Sequence, residues 1–141
     1  MNIQNSEKFY AQAQNFMPGG VNSPVRACRA VGRAPLFIDH AKGSKIYDVD
    51  GNEYIDYICS WGPNILGHAN ERVINAVTET CQRGLTFGTC HSGEIELAKL
   101  IKKHFPSMEM LRLVNSGTEA VMSAIRAARG YTKRDKIVKF E

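Results

Sequence analysis

The sequence lacks the features that would assign it to a membrane, secreted or repeat protein. No stretch of its 141 residues approaches the roughly 18 consecutive apolar residues that a membrane helix needs. Residues 1–7 lack the basic-then-apolar pattern of a secretory signal, which favours a cytoplasmic location. The chain has no internal repeat and no low-complexity segment. These absences leave an ordinary globular domain as the expected class.

Charge and cysteine usage are equally unspecialised. The net charge of +4 comes from 18 basic and 14 acidic residues, without the basic run and interleaved aromatic residues that are typical of nucleic-acid binding. The four cysteines (Cys28, Cys59, Cys81 and Cys90) form no C-x-x-C pair, so we expect reduced thiols rather than a disulfide framework. The spacing of Cys90 and His91 from the other candidate ligands fits no zinc pattern, and no metal site is predicted.

The most informative motif lies near the C-terminal end. Residues 110–114 form an apolar run that predicts a buried strand, and this run stops at Ser116-Gly117-Thr118. Apolar residues then recur at three-and-four spacing up to Gly130, which predicts a helix that ends at this glycine. The free N–H groups of such a helix start, two hydroxyl groups and an open glycine backbone suit a phosphate. A serine or threonine that only caps the helix explains the same residues.

The first part of the chain predicts one helix and a small antiparallel meander. Ser6 is expected to cap a helix that runs through Phe16, and Pro18-Gly19-Gly20 is expected to end it. Three β-like segments separated by glycine turns predict the meander. The strands are predicted at residues 36–38, 45–47 and 53–57, and the expected turn aspartates are Asp39, Asp48 and Asp50.

The second part of the chain predicts an α/β arrangement. Helices are expected at about 70–83 and 92–104, each with an apolar face turned inward, and the apolar residues 136–140 predict a final strand. Strand, helix and strand then form a βαβ unit with a parallel sheet. Because two parallel strands leave their faces and edges uncovered, we expect a larger α/β domain that is incomplete here. The predicted division is an N-terminal segment, 1–69, and the start of the large domain, 70–141.

Two irregular loops carry side chains that suit a small carboxylic acid. Ser23 and Arg26 lie in the loop of residues 21–27, and a guanidinium matches the fork of a carboxylate. On its own, however, a solvated surface arginine explains Arg26 better. Trp61, the only tryptophan, lies in a loop rich in glycine. Its ring either covers a ligand or fills core volume.

Five segments carry a resemblance to a known family. Asp50–Asp56 and Leu66–His68 are similar to the wider aminotransferase group, Pro18–Arg26 and Ser60–Pro63 are more particular, and Asn115–Ala120 matches a cofactor-phosphate segment. Together they resemble the glutamate-1-semialdehyde 2,1-aminomutase branch of the class III aminotransferases. These are fold-type I pyridoxal phosphate enzymes, and the resemblance covers essentially the whole chain.

The resemblance implies a function for the parent enzyme. In this branch an amino group moves from C2 to C1 of glutamate-1-semialdehyde, which yields 5-aminolevulinate for tetrapyrrole (porphyrin) biosynthesis. The implied cofactor is pyridoxal 5'-phosphate, which starts the cycle in its pyridoxamine form, and the implied assembly is a homodimer without nucleic-acid or membrane partners. The implied cofactor-binding residues are Ser116, Gly117 and Thr118, and the implied substrate-binding residues are Ser23, Arg26 and Trp61.

The resemblance also predicts what the chain does not contain. The family needs a lysine that forms a Schiff base, and none of the lysines present matches that position. No catalytic residue is therefore predicted among residues 1–141, and the chain alone is expected to be inactive. Two alternatives are another class III ω-aminotransferase and a non-catalytic interaction module.

Overall fold

The computed structural model describes residues 1–141, which fall into two compact units, Met1–Leu85 and Thr86–Glu141. The first unit contains helix α1 (Gln4–Ala13), strands β1 (Ile38–Lys42), β2 (Lys45–Asp48) and β3 (Glu53–Ile55), and helix α2 (Glu71–Gln82). The second unit contains helices α3 (Ser92–His104) and α4 (Gly117–Thr132). Short 3-10 turns occupy much of the loop between α1 and β1. The domain boundary predicted between residues 69 and 70 stays a prediction.

The three strands form the predicted antiparallel meander in the order β1-β2-β3. The first strand begins later than predicted, at Ile38 instead of residue 36, and it includes Asp39. The prediction that Asp39 is a turn residue is therefore wrong. Ile38 pairs with Asp48 and His40 pairs with Tyr47, so the register shifts at Asp39. Apolar content alone predicted the strand, whereas the pairing with β2 decides where its ladder begins.

The prediction that Ser6 caps the first helix is also wrong. Helix α1 begins at Gln4, and Ser6 lies inside its first turn with 1% of its surface exposed. The Ser6 hydroxyl instead accepts a hydrogen bond from the backbone N–H of Phe37 at 3.2 Å. The helix ends at Ala13, three residues before the predicted Phe16. Serine commonly caps helices, but the Ser6 side chain instead forms a hydrogen bond with a residue 31 positions away.

Two aspartates organise the first unit: Asp48, the last residue of β2, and Asp50 in the turn that follows. The Asp50 carboxylate accepts hydrogen bonds from the N–H groups of Asn5 at 2.8 Å and Ser6 at 2.9 Å, and thereby caps α1 from a distant part of the chain. Asp48 is only 3% exposed, and its carboxylate accepts four hydrogen bonds. The donors are the backbone N–H groups of Asp50 and Asn52, the Asn52 amide and the Tyr54 hydroxyl, at 2.8 to 3.0 Å.

Helices α2 and α3 occupy the predicted ranges, but their apolar faces are not buried. On α2, Val73 and Val77 are 46% and 54% exposed, and on α3 Ile95 and Leu100 are 58% and 53% exposed. Among the apolar side chains of the chain, only those of Ala13, Ala27 and Pro35 are buried. The predicted inward faces therefore exist as periodic patterns without an element that covers them.

The region after α3 differs from its prediction in two ways. Helix α4 continues past Gly130 to Thr132, and Lys133 takes the left-handed conformation after its end, with φ of 58°. A glycine inside a helix costs about 1 kcal/mol relative to alanine, and here that cost does not end the helix. Residues 110–114 and 136–140 carry no β-ladder, because a parallel strand forms only where a neighbouring strand pairs with it. No helix of the chain has the length and apolar character that would let it cross a membrane.

Candidate functional site

The start of α4 is capped by its own side chains. Ser116 precedes the helix in an extended conformation, and its hydroxyl accepts a hydrogen bond from the Glu119 N–H at 3.2 Å. The same hydroxyl donates to the Glu119 carboxylate at 3.1 Å. The capping interpretation is therefore confirmed for Ser116, and Glu119 is its partner in an S-x-x-E arrangement.

Capping leaves part of this helix start open. The backbone N–H groups of Gly117 and Thr118 have no hydrogen-bond partner, and the Thr118 hydroxyl makes no hydrogen bond. A Cβ atom added at Gly117 would meet no atom within 4 Å. Two free N–H groups at the positive end of a 16-residue helix, with an exposed hydroxyl beside them, fit a phosphate group.

Ser23 and Arg26 lie together on one short turn of the first unit. Ser23 is extended, with φ of −145°, because it precedes Pro24, and a 3-10 turn from Pro24 to Ala27 follows. The Arg26 N–H donates to the Ser23 carbonyl oxygen at 2.9 Å. The Arg26 guanidinium is exposed and has no hydrogen bond or ion pair within the chain. Its five donors are therefore free for an external anion.

Trp61 lies on a left-handed turn. Cys59, Ser60 and Trp61 have φ of 49°, 55° and 67°, a conformation that costs a residue other than glycine about 1–2 kcal/mol. The Trp61 N–H donates to the Ile58 carbonyl oxygen at 3.0 Å, and the Gly62 N–H donates to that of Cys59 at 3.0 Å. The Trp61 side chain is 69% exposed. The ring therefore does not fill core volume in this chain, and its face is open to a ligand.

A hydrogen-bonded aspartate–histidine pair contacts this turn. The Asp56 carboxylate lies 2.7 Å from Nε2 of His68, and the two side chains are 8% and 21% exposed. The other carboxylate oxygen accepts hydrogen bonds from the N–H groups of Ile58 at 2.8 Å and Cys59 at 3.1 Å. The hydrogen bond with His68, and next those from Ile58 and Cys59, lower the pKa of the Asp56 carboxyl below its ordinary value. Asp56 is therefore a carboxylate at neutral pH.

The backbone ties this pair to the meander. Gly43 and His68 exchange two hydrogen bonds, from the Gly43 N–H at 2.9 Å and from the His68 N–H at 2.8 Å. The Asp56 N–H donates to the Ser44 carbonyl oxygen at 2.8 Å. Gly67 has φ of 78°, and a Cβ atom at this position would lie 2.9 Å from the Gly43 carbonyl oxygen. Only glycine fits this approach without displacing the backbone.

The candidate residues thus form two groups. The substrate group predicted from the sequence belongs to the first unit, and no hydrogen bond joins Arg26 or Ser23 to Trp61. The three phosphate-binding candidates belong to the second unit. Sequence reasoning missed the pairing of Asp56 with His68. The signal was present, because both residues lie in the segments that resemble aminotransferases, but their contact spans 12 positions.

No metal centre accompanies these groups. The chain has no cluster of three or more histidine, cysteine, aspartate or glutamate side chains placed to hold a metal ion. All four cysteines are free thiols.

Comparison with known families decides the assignment. The family description "Aminotransferase class-III" matches residues 27–141, which is most of the chain. The chain belongs to the class III aminotransferase family. This confirms the family expected from the sequence motifs.

Relatives within the class III family carry a more specific name. The glutamate-1-semialdehyde 2,1-aminomutase of Clostridium novyi (strain NT) is 62% identical over 136 residues, and that of Thermodesulfovibrio yellowstonii is 63% identical over 141 residues. These matches cover 96% and 100% of this chain, but 31% and 33% of the relatives. The chain therefore spans about a third of the length of the curated relatives it matches.

Solved structures confirm the predicted fold class, that of the PLP-dependent transaminases. A transaminase with PLP bound matches with a TM-score of 0.87 at 35% identity, over 96% of this chain and 31% of that chain. An omega-transaminase from Sphaerobacter thermophilus matches with a TM-score of 0.85 at 35% identity, over 94% and 30%. A glutamate-1-semialdehyde-aminomutase from Pseudomonas aeruginosa PAO1, at 22% identity and a TM-score of 0.83 over 94% and 29%, shows the same fold.

Proposed function

We propose that the whole protein to which this chain belongs converts glutamate-1-semialdehyde to 5-aminolevulinate by intramolecular amino transfer, in tetrapyrrole (porphyrin) biosynthesis. The observation that carries the proposal is identity of 62–63% with named aminomutases over nearly all of this chain. Because the chain spans about a third of those relatives, the activity is proposed for the whole protein. The homodimer and the cytoplasmic location expected from the sequence stay predictions.

The proposed cofactor is pyridoxal 5'-phosphate, which starts the cycle as pyridoxamine 5'-phosphate. Support comes from the family match and from the open start of α4, where the N–H groups of Gly117 and Thr118 are free. These groups and the Thr118 hydroxyl would hold the phosphate. Ser116 would stabilise the first turn of the helix by accepting the hydrogen bond from the Glu119 N–H. When bound, the cofactor carries the amino group and withdraws electrons from the reacting carbon. The catalytic lysine is not assigned to any residue of this chain.

The proposed substrate contacts come from the first unit. Arg26 presents a free, exposed guanidinium that would pair with the substrate carboxylate in two parallel hydrogen bonds, with Ser23 adding a hydroxyl. Trp61 presents an exposed ring that would line one wall of the pocket. This chain thus supplies binding and orientation.

A single assay separates the proposed function from its closest alternative. Purified whole protein, loaded with pyridoxamine 5'-phosphate, is mixed with glutamate-1-semialdehyde, and 5-aminolevulinate is measured without any added amino acceptor. An aminomutase completes the reaction, whereas an ω-aminotransferase requires a second keto substrate. The ω-aminotransferase alternative has support from the two solved transaminases at 35% identity. Turnover only after addition of a keto acid would replace our proposal with this alternative.

Arg26→Gln in the whole protein tests the substrate contact. Loss of a charge-assisted pair costs roughly 1.5–3 kcal/mol, so we expect the KM for glutamate-1-semialdehyde to rise by at least about tenfold. Retention of the cofactor, followed by its absorbance after gel filtration, is expected to be unchanged. Arg29→Gln is the matched control, since Arg29 is an exposed arginine three positions further along the chain, on the next 3-10 turn. Equal KM values for the two variants would remove Arg26 from the site.

A further inference from the structure

We propose that Asp56 and His68 are positioning residues of the substrate pocket, which together hold the turn Cys59–Gly62 so that the Trp61 ring faces the substrate. This inference deepens the proposed function and rests on it, because Trp61 lines the substrate pocket only under that proposal. Neither residue contacts substrate in our proposal; both act through Trp61.

The first link runs from Asp56 to the turn. One carboxylate oxygen accepts hydrogen bonds from the N–H groups of Ile58 and Cys59, at 2.8 and 3.1 Å, three and two positions before Trp61. The Cys59 thiol is also 3.6 Å from the Asp56 carbonyl oxygen, within hydrogen-bond distance for sulfur. Asp56 therefore binds the turn at its entry by side chain and main chain.

The second link runs from Asp56 to the meander through His68. The second carboxylate oxygen faces Nε2 of His68 at 2.7 Å, and the His68 main chain exchanges two hydrogen bonds with Gly43. Asp56 itself donates to the Ser44 carbonyl oxygen from its N–H. The pair is thus attached at two points to the connection between β1 and β2.

The third link is the state of the turn itself. The φ angles of three successive residues, Cys59, Ser60 and Trp61, are positive. Residues other than glycine keep this conformation only where surrounding contacts impose it. The Trp61 indole makes no hydrogen bond and is 69% exposed. The backbone of the turn sets the direction in which the Trp61 side chain leaves the main chain, and Asp56 holds the entry of that turn.

The test compares two aspartate–histidine pairs in the whole protein. Asp56→Asn keeps one acceptor oxygen for the turn and replaces the oxygen that faces His68 by an amide. We expect the KM for glutamate-1-semialdehyde to rise roughly tenfold while kcat changes less than about threefold. Asp39→Asn is the matched control, because Asp39 and His40 form a pair at 2.8 Å that is exposed and unconnected to the turn. An equal KM in the Asp56 variant and wild type overturns the proposal.

A double-mutant cycle separates positioning from a general structural role. In a Trp61→Ala background, we expect Asp56→Asn to change KM by less than about twofold, because the group through which it acts is gone. Additive effects of the two substitutions overturn the proposal. His68→Gln keeps an N–H donor toward Asp56 and is expected to retain a KM near that of wild type, whereas His68→Leu is expected to match Asp56→Asn. Equal KM values for the two histidine variants also overturn it.

A spectroscopic measurement keeps the inference independent of turnover. The fluorescence of Trp61 is obtained as the difference between each variant and the same variant carrying Trp61→Phe. We expect a shifted emission and lower anisotropy in Asp56→Asn and His68→Leu, and no change in Asp39→Asn. Unchanged Trp61 fluorescence in both variants overturns the positioning role. If the variants show the fluorescence shift but the wild type shows no aminomutase turnover, the proposed function is refuted. The positioning of the turn Cys59–Gly62 by Asp56 and His68 is then still supported.

Discussion

Replacing Gly67 by alanine tests how the loop that carries Trp61 is attached to the meander. Gly67 has φ of 78°, and a Cβ atom there would lie 2.9 Å from the carbonyl oxygen and 3.1 Å from the carbonyl carbon of Gly43. Alanine at this position would therefore have two costs. Its backbone would be strained in the left-handed conformation, and its Cβ atom would collide with main-chain atoms of Gly43, which cannot move aside as a side chain can. The collision would break the hydrogen bonds that Gly43 and His68 exchange.

Gly51 provides a control that carries only the first of these penalties. Its φ is 84°, and a Cβ atom added there meets no atom within 4 Å. We expect Gly51→Ala to cost about 1–2 kcal/mol from backbone strain alone. Gly67→Ala should cost the same plus about 1–3 kcal/mol for the displaced backbone. A larger loss of stability in Gly67→Ala than in Gly51→Ala is the expected effect of the close approach of Gly67 to Gly43.

Amide hydrogen exchange of Gly43 and His68 in the whole protein measures this difference locally. An extra 1–3 kcal/mol corresponds to roughly 5- to 150-fold faster exchange of these two amides in Gly67→Ala than in Gly51→Ala. The KM for glutamate-1-semialdehyde should rise in the Gly67 variant, since the loop that carries Trp61 loses its attachment. Equal exchange rates in the two variants would refute the reasoning, because a collision between residue 67 and Gly43 must disturb the hydrogen bonds that Gly43 and His68 exchange.

Two further predictions concern the long-range hydrogen bonds of the first unit. Ser6→Ala should leave the partly buried Phe37 N–H without its protein partner, which costs up to about 1–3 kcal/mol. Faster exchange of the Phe37 amide checks this, with Ser44→Ala at an exposed serine as control, and equal rates would contradict it. Burial would raise the pKa of the Asp48 carboxyl, but hydrogen bonds from the Asn52 side chain and backbone, and then from Tyr54 and Asp50, lower it overall. Because the folded pKa lies below the ordinary value, the stability that Asp48 contributes is present above about pH 4 and is lost as the pH falls through the folded pKa. Asp48→Asn should therefore flatten the fall of Tm below about pH 4, and an unchanged slope of Tm against pH would contradict this.

The sequence predicted best those features that depend on near neighbours. Helix α2, predicted at about 70–83, runs from Glu71 to Gln82, and its cap is the preceding Asn70, which accepts hydrogen bonds from the N–H groups two and three residues further along the chain. The α3 range Ser92–His104 and the cap of α4 at Ser116 depend on similarly short spacings. Helix periodicity and side-chain caps are local properties, so a window of a dozen residues contains the information needed.

Prediction was weaker wherever a helix or strand needs a partner. The apolar faces of α2 and α3 were expected to be buried, yet Val77 and Ile95 are more than half exposed. Residues 110–114 and 136–140 have strand-like composition but no ladder. Periodicity states which face is apolar, whereas burial and pairing require a second element at the correct distance.

By itself, the sequence determined the helices, the meander, the family motifs and the hydroxyl- and glycine-rich start of α4. The tertiary structure alone decided that Asp50 caps α1 across 45 positions and that the Ser6 hydroxyl accepts a hydrogen bond from Phe37 instead of capping the helix. It also decided that Asp56 forms a hydrogen bond with His68 next to the turn that carries Trp61. The physical reason is that a carboxylate or hydroxyl accepts a hydrogen bond from any donor at about 3 Å, and only the folded backbone brings a particular distant donor to that distance.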